Sequence, residues 1–242
     1  MTSLRRPVET APPSLAERLA FVHQRIADAE QRSGRSSGSV TLVGVVKTLP
    51  AATIAQAVSL GLTDLGENRV QEAQEHQQVV AREAARWHMI GHLQRNKAGK
   101  ALSMFDLVHG VDDADLADAI ARRALQLGRR MPVLIEVNVS GEASKFGTAP
   151  AALPALLDAI AALEPQGGLE LRGLMTVGAP VERAEQARAG FARLRMLRDE
   201  AQRRMGRPLP DLSMGMSGDY EVAVEEGATL VRVGSLLFGA RH

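Results

Sequence analysis

The chain has 242 residues, with 29 lysines and arginines against 28 aspartates and glutamates, so its net charge of +1 gives no field to draw nucleic acid. Cysteine is absent, which excludes disulfides, thiolate nucleophiles and cysteine-ligated metals. The amino terminus has no apolar signal-peptide core and no apolar run approaches membrane-spanning length, so a cytoplasmic protein without membrane contact is expected.

Residues 1–13 end in Ala-Pro-Pro and read as an unstructured lead to a single domain over 14–242. Ser14 and Glu17 form a capping-box pattern, and Leu15, Leu19, Val22 and Ile26 then share one helical face, predicting a helix to about residue 31. A polar loop, 33–39, leads to TLVGVVKTLP at 41–50, an apolar strand over 41–47 stopped by Pro50. A helix over 51–60 ending at Gly61, a strand 63–66 and a polar helix 69–82 follow. Next come a strand 87–91, a helix 94–103, a strand 106–110 and an alanine-rich helix from Asp112 to Leu127. PVLIEVN, from Pro132, is the clearest buried strand. A helix 151–163 and a strand 171–177 precede a long helix 182–205 with Phe191, Leu194, Ala201 and Met205 on its inner side. A strand 211–215, a short helix 219–226 and the strand TLVRVG at 229–234 complete the set, with room for about one further helical turn.

Eight strands, seven followed at once by a helix, favour a closed TIM-type (β/α)8 barrel over an open doubly wound sheet. The surplus amino-terminal helix is expected to cover the gap beside the short last helix. Barrel sites sit at the carboxyl ends of the strands, and this sequence places amines, amides, hydroxyls and glycines there, a set that suits an anionic ligand. Counting by twos, Lys47 shares a face with Val45 and Val43. It is either a solvated rim residue or the amine of a Schiff-base site, which needs an apolar wall and a neighbouring cation. SMGMSGD at 213–219 puts Ser217 beside Gly218, and VRVGSLLFG at 231–239 puts Gly234 beside Ser235. Two such turns either cradle a phosphate or hold serines that are plain helix caps. Arg232 is either inward, as a functional group or a partner of Glu136, or outward, capping a helix. His88 and His92 straddle a break at Gly91 and do not read as a metal pair.

With these residues in view, the sequence closely resembles the pyridoxal phosphate homeostasis protein family, single barrels related to the amino-terminal domain of alanine racemase. The matching motifs are VKT at 46–48, LGEN at 65–68, WHMIGHLQRNK at 87–97, VNVSGEASKFG at 137–147, LRGLMTVG at 171–178 and LSMGMSGDYEVAVEEGATLVRVGSLLFGAR at 212–241. They span about 14 to 241, and departures such as Tyr220 and Val224 are mild. The resemblance implies that pyridoxal 5'-phosphate (PLP), the vitamin B6 cofactor, forms a Schiff base with Lys47. It implies a phosphate held by Ser217, Gly234 and Ser235, with Arg232 facing the pyridine nitrogen and Asn68 and Met216 lining the ring. Lys97 and Lys145 are cations that a ligand meets on release or that are merely solvated. Alanine racemase completes its site with a tyrosine from a second domain, which is not expected in this chain. The implied function is PLP homeostasis without catalysis, by a monomer making at most transient contacts with PLP-dependent apo-enzymes. The alternative is a small racemase-like enzyme using His88 or Tyr220 as acid or base.

Overall fold

The computed structural model describes residues 14–142, 144–179 and 181–239. The expected lead, 1–13, lies outside these residues. Eight parallel strands close into a barrel in chain order, with the last paired to the first. They are β1 (Thr41–Val45), β2 (Asp64–Glu67), β3 (Arg86–Met89), β4 (Leu107–Val111), β5 (Met131–Glu136), β6 (Leu169–Met175), β7 (Asp211–Ser213) and β8 (Leu230–Val233). The helices around them are α1 (Leu15–Arg32), α2 (Ala51–Ser59), α3 (Val70–His76), α4 (Ala98–Met104), α5 (Ala114–Gln126), α6 (Leu153–Leu163), α7 (Arg188–Met205), α8 (Tyr220–Glu225) and α9 (Ser235–Phe238).

Strand alternation divides the apolar residues into two sets. Val43, Leu107, Leu134, Met175 and Leu230 form a small cluster inside the barrel. Leu42, Leu65, Trp87, Val133, Ile135 and Val231 belong to the larger cluster between strands and helices. The barrel interior is otherwise polar: Asp64, His88, His109, Ser213 and Arg232 are all buried there.

The first helix begins as its sequence dictates. Ser14 Oγ accepts from Glu17 N at 3.2 Å, and Glu17 Oε2 accepts from Ser14 N at 3.2 Å. Its apolar face, with Val22 and Ile26, packs against α8 and α9. Burying two such side chains stabilises the contact by about 1.5–3 kcal/mol each. Polar clasps fix the same seam: Arg18 Nε donates to Leu237 O at 2.8 Å, and Arg35 Nη1 donates to Val224 O and Ala228 O. The helix therefore covers the gap beside the one-turn α9, as expected.

Five of the boundaries differ from the sequence reading. The polar helix expected over 69–82 stops at His76, because the amides of Val79 and Val80 both turn back to the His76 carbonyl and Val80 goes inside. The helices expected at 94 and 182 open with 3-10 turns over Arg95–Lys97 and Ala184–Ala187. Strand β7 ends at Ser213, since Gly215 takes φ +90. A Cβ there would lie 2.5 Å from Ala223 Cβ, so only glycine lets β7 turn this closely onto α8. Finally, β1 stops at Val45, leaving Lys47 in the loop beyond it, followed by Thr48 at φ +61, a strained conformation for a β-branched residue.

Candidate functional site

A cavity of about 370 Å³ opens at the carboxyl end of the barrel between β1, β7 and β8, lined by Val45, Lys47, Met216, Ser217, Gly218, Arg232, Gly234 and Ser235. Pairing of Val43 with Arg232 and Gly44 with Val233 sets β1 against β8 and brings distant parts of the sequence to one place. The Lys47 ammonium makes no hydrogen bond or ion pair among the described residues.

Ser217 resolves the question of caps in an unexpected way. Its hydroxyl oxygen accepts from Gly234 N at 3.1 Å and Leu236 N at 3.3 Å, so it caps the neighbouring α9 rather than its own α8. An oxygen thus already sits where two backbone N–H groups converge. The Met216 amide donates to Asp219 Oδ1 at 2.6 Å, which holds the 216–219 turn in place.

Arg232 points inward and is 4% exposed. Its Nη1 donates to Ser213 Oγ, and its Nη2 donates to the Thr176 carbonyl at 2.8 Å. These contacts take the place of a salt bridge to Glu136. Burial pushes the guanidinium down to about 10, partly offset by Glu136 and Asp219, so it stays charged at neutral pH. Burial, with the neighbouring charge of Asp112, pushes Glu136 up to about 7 against the opposing pull of Arg232.

The structure thus gathers Lys47, Met216, Ser217, Arg232, Gly234 and Ser235, but not Asn68. Asn68 lines a separate cavity of about 410 Å³ with Met89, His92, Lys97 and Phe146 among others. There His92 stacks on Phe146 with ring centroids 4.4 Å apart. Lys145 Nζ lies 2.9 Å from Glu142 Oε1, in an ion pair without hydrogen-bond alignment. Neither acid/base candidate lines the Lys47 cavity: Tyr220 is buried in the outer core, and His88 is held between Asp64 and His109 inside the barrel. Among the described residues no group of three side chains is suited to a metal ion.

Residues 19–242 match the family model described as alanine racemase, N-terminal domain. The chain is 44% identical over 225 residues to the pyridoxal phosphate homeostasis protein of Aquifex aeolicus, covering 93% of this chain and 97% of that one. It is 43% identical over 228 residues to the protein of the same name from Pseudomonas aeruginosa, covering 94% and 96%. The chain belongs to the pyridoxal phosphate homeostasis protein family. Among solved structures, PipY of Synechococcus elongatus with PLP bound superposes with a TM-score of 0.81 at 37% identity, covering 93% of this chain and all of that one. Alanine racemase of Clostridium difficile shares the barrel alone, with a TM-score of 0.70 at 16% identity over 57% of its length.

Sequence reasoning did not show how the Lys47 cavity is supported. Ser213 was expected at a strand end but not as a partner of Arg232, and Thr176, just past the end of β6, carries no local signal for that contact. The loop after Lys47 is tied down by a second pair. His76 Nε2 lies 2.9 Å from the Leu49 carbonyl and its Nδ1 lies 2.5 Å from Glu67 Oε1, while the Thr48 amide donates to Glu72 Oε2 at 3.0 Å. Burial pushes the Glu67 carboxyl up, against the pull of His76.

Proposed function

We propose that this chain binds PLP at the carboxyl end of its barrel and serves PLP homeostasis, buffering, protecting or delivering the cofactor with little or no catalysis. The observation that carries this reading is the Lys47 ammonium, unpaired among the described residues, in one cavity with the Arg232 guanidinium and the Ser217–Gly234 turn. An aldehyde that also bears a phosphate uses each of these groups, and about 370 Å³ falls within the range of small-cofactor sites. When bound, the cofactor supplies an electrophilic carbonyl and an electron-withdrawing ring.

In this reading Lys47 holds the aldehyde through its amine. Ser217, Gly234 and Ser235 hold the phosphate with hydroxyl and N–H groups. Met216 would line the ring, and Asn68, which lines a separate cavity, would be the contact on the hydroxyl side. Arg232 faces the ring nitrogen and, as a permanent cation, keeps it unprotonated, which weakens the ring as an electron sink. That weakness, with His88 and Tyr220 engaged elsewhere, favours a carrier over a racemase. The PLP-bound PipY and the names of the full-length relatives support the same cofactor and role. The barrel from residue 14 onward acts as one binding unit, a cytoplasmic monomer that meets apo-enzymes only transiently. Among the described residues no helix is long and apolar enough to cross a membrane.

The test is borohydride reduction of the protein mixed with PLP, followed by peptide mapping. The pyridoxyl label is expected on Lys47; no label, or a label elsewhere, overturns the site. Turnover of D- or L-amino acids at about 1 per second or faster would overturn the carrier role. Sedimentation equilibrium checks the monomer, and reactivation of a PLP-free enzyme checks delivery.

A further inference from the structure

A continuous line of buried polar groups runs through the barrel from its amino-terminal end to the Lys47 cavity. Asp64 Oδ1 lies 2.9 Å from His88 Nε2, His88 Nδ1 lies 2.9 Å from His109 Nε2, and His109 Nδ1 lies 2.9 Å from Ser213 Oγ. Ser213 Oγ then meets Arg232 Nη1. Every member is buried: Asp64, His109 and Ser213 are 0% exposed, His88 3% and Arg232 4%. Barrel interiors are ordinarily filled by branched apolar side chains, so five polar residues in contact need a reason.

Hydrogen-bond chemistry allows these contacts one fully satisfied arrangement. A guanidinium only donates, so Ser213 Oγ accepts from Arg232, and its single proton goes to His109 Nδ1. His109 is then neutral with its proton on Nε2, which it donates to His88 Nδ1. That leaves the His88 proton on Nε2, donated to the Asp64 carboxylate. The reverse order would leave the Ser213 hydroxyl proton buried with no acceptor in this chain of contacts. Charge supports the same order. Burial, with His88 and Arg232 nearby, holds His109 well below the usual imidazole range and therefore neutral. Burial works against the Asp64 charge, but hydrogen bonds from His88, Arg86 and Thr63 outweigh it and hold that carboxyl below its ordinary value. The line thus runs from a fixed cation to a fixed anion with every dipole aligned, an arrangement in which neighbouring hydrogen bonds strengthen one another.

We propose that Ser213, His109 and His88 are positioning residues for Arg232: anchored on Asp64, they hold each other in one tautomer and fix how the guanidinium meets the ligand in the Lys47 cavity. The Nη1 edge is engaged from below by Ser213 and Nη2 by the Thr176 carbonyl, so the guanidinium cannot swing away from the cavity it lines. The consequence for a bound pyridine ring rests on the PLP reading above; the tautomers do not.

Nitrogen-15 NMR of the ligand-free protein labelled at histidine tests the line directly. His88 and His109 are both expected to carry the ring proton on Nε2 and none on Nδ1. A proton on Nδ1 of either ring, or a charged ring, overturns the proposal. Ser213→Ala then tests the link to the ligand. It should keep the borohydride label on Lys47 while binding PLP about tenfold more weakly. It should also shift the pH midpoint of the bound chromophore, and Ser213→Thr should restore both. Wild-type affinity and midpoint in Ser213→Ala would overturn the positioning role. Should Ser213→Ala not fold, the wild-type tautomers and Ser213→Thr still decide. A wild-type protein that binds no PLP would sink the function while the tautomers still judged the line.

Discussion

The two ends of the barrel hold cavities of similar size and opposite character. At the amino-terminal end, about 410 Å³ is bounded by Asp64, Arg86, Asp106, Arg172 and Asp211 among others. Those charges are matched in place: Arg86 Nε to Asp64 Oδ1 at 2.8 Å, Arg172 Nε to Asp211 Oδ2 at 2.9 Å, and Asp106 to Arg82. At the carboxyl end, among the described residues, Lys47 has no partner and Arg232 is anchored by the neutral oxygens of Ser213 and Thr176. Concavity and cations are present at both ends. What separates a ligand site from a buttress is whether the protein has already answered its own charges, as expected of a fold whose lower face serves stability.

Lys47→Ala should break the comparison most sharply. The borohydride label should vanish completely, while unfolding free energy stays within about 0.5 kcal/mol of wild type, since this ammonium has no partner to lose among the described residues. A large loss of stability in urea would show that Lys47 is structural. Asp64→Ala should do the opposite, costing about 2–4 kcal/mol by leaving His88 without its acceptor and Arg86 without its partner. Denaturation midpoints close to wild type would refute a structural lower end.

Glu136→Gln sharpens the contrast through pH. In the folded chain Glu136 keeps its proton up to about 7, whereas the unfolded chain releases it near 4.5. Folding therefore takes up a proton between those values, and this contribution is lost as pH rises through them, reaching at most about 3 kcal/mol. Glutamine should flatten that slope, with its advantage over wild type largest above the window. Equal slopes in urea titrations across the window would rule this out. The smallest effect is expected from Ser217→Ala, about 1 kcal/mol, through loss of the oxygen that accepts from Gly234 and Leu236. Weaker inorganic phosphate binding should accompany it in calorimetry; unchanged stability and binding would remove Ser217 from the cradle.

The elements and their closure were legible because β1, β5, β6 and β8 are short apolar runs and α1 carries its own cap. The Lys47–Arg232 neighbourhood followed once the barrel closed, since closure pairs β1 with β8. The end of α3 at His76 was not legible: its polar run continues without a stop signal, and the turn depends on burying Val80. Nor was the polar line through the barrel. Alternation places His88 and His109 on inward faces, but neither spacing nor propensity says that a histidine on β3 meets one on β4 and a serine on β7. Asn68 fell into a separate cavity for a related reason, since the loop after β2 follows contacts its own sequence does not display.

The seam made by α1 bears on how the molecule comes into being. Arg18 clasps the carbonyl of Leu237, 219 positions further along, and the Lys47 cavity needs β1 at one edge and β7 with β8 at the other. During synthesis the first helix must therefore wait, its apolar face uncovered, until the last strand has left the ribosome. Contacts of such long range make folding slow and leave the growing chain prone to aggregation. The proposed cofactor site, assembled from the first and last strands, is the last part of the barrel to exist, so in this reading no half-made chain sequesters its ligand.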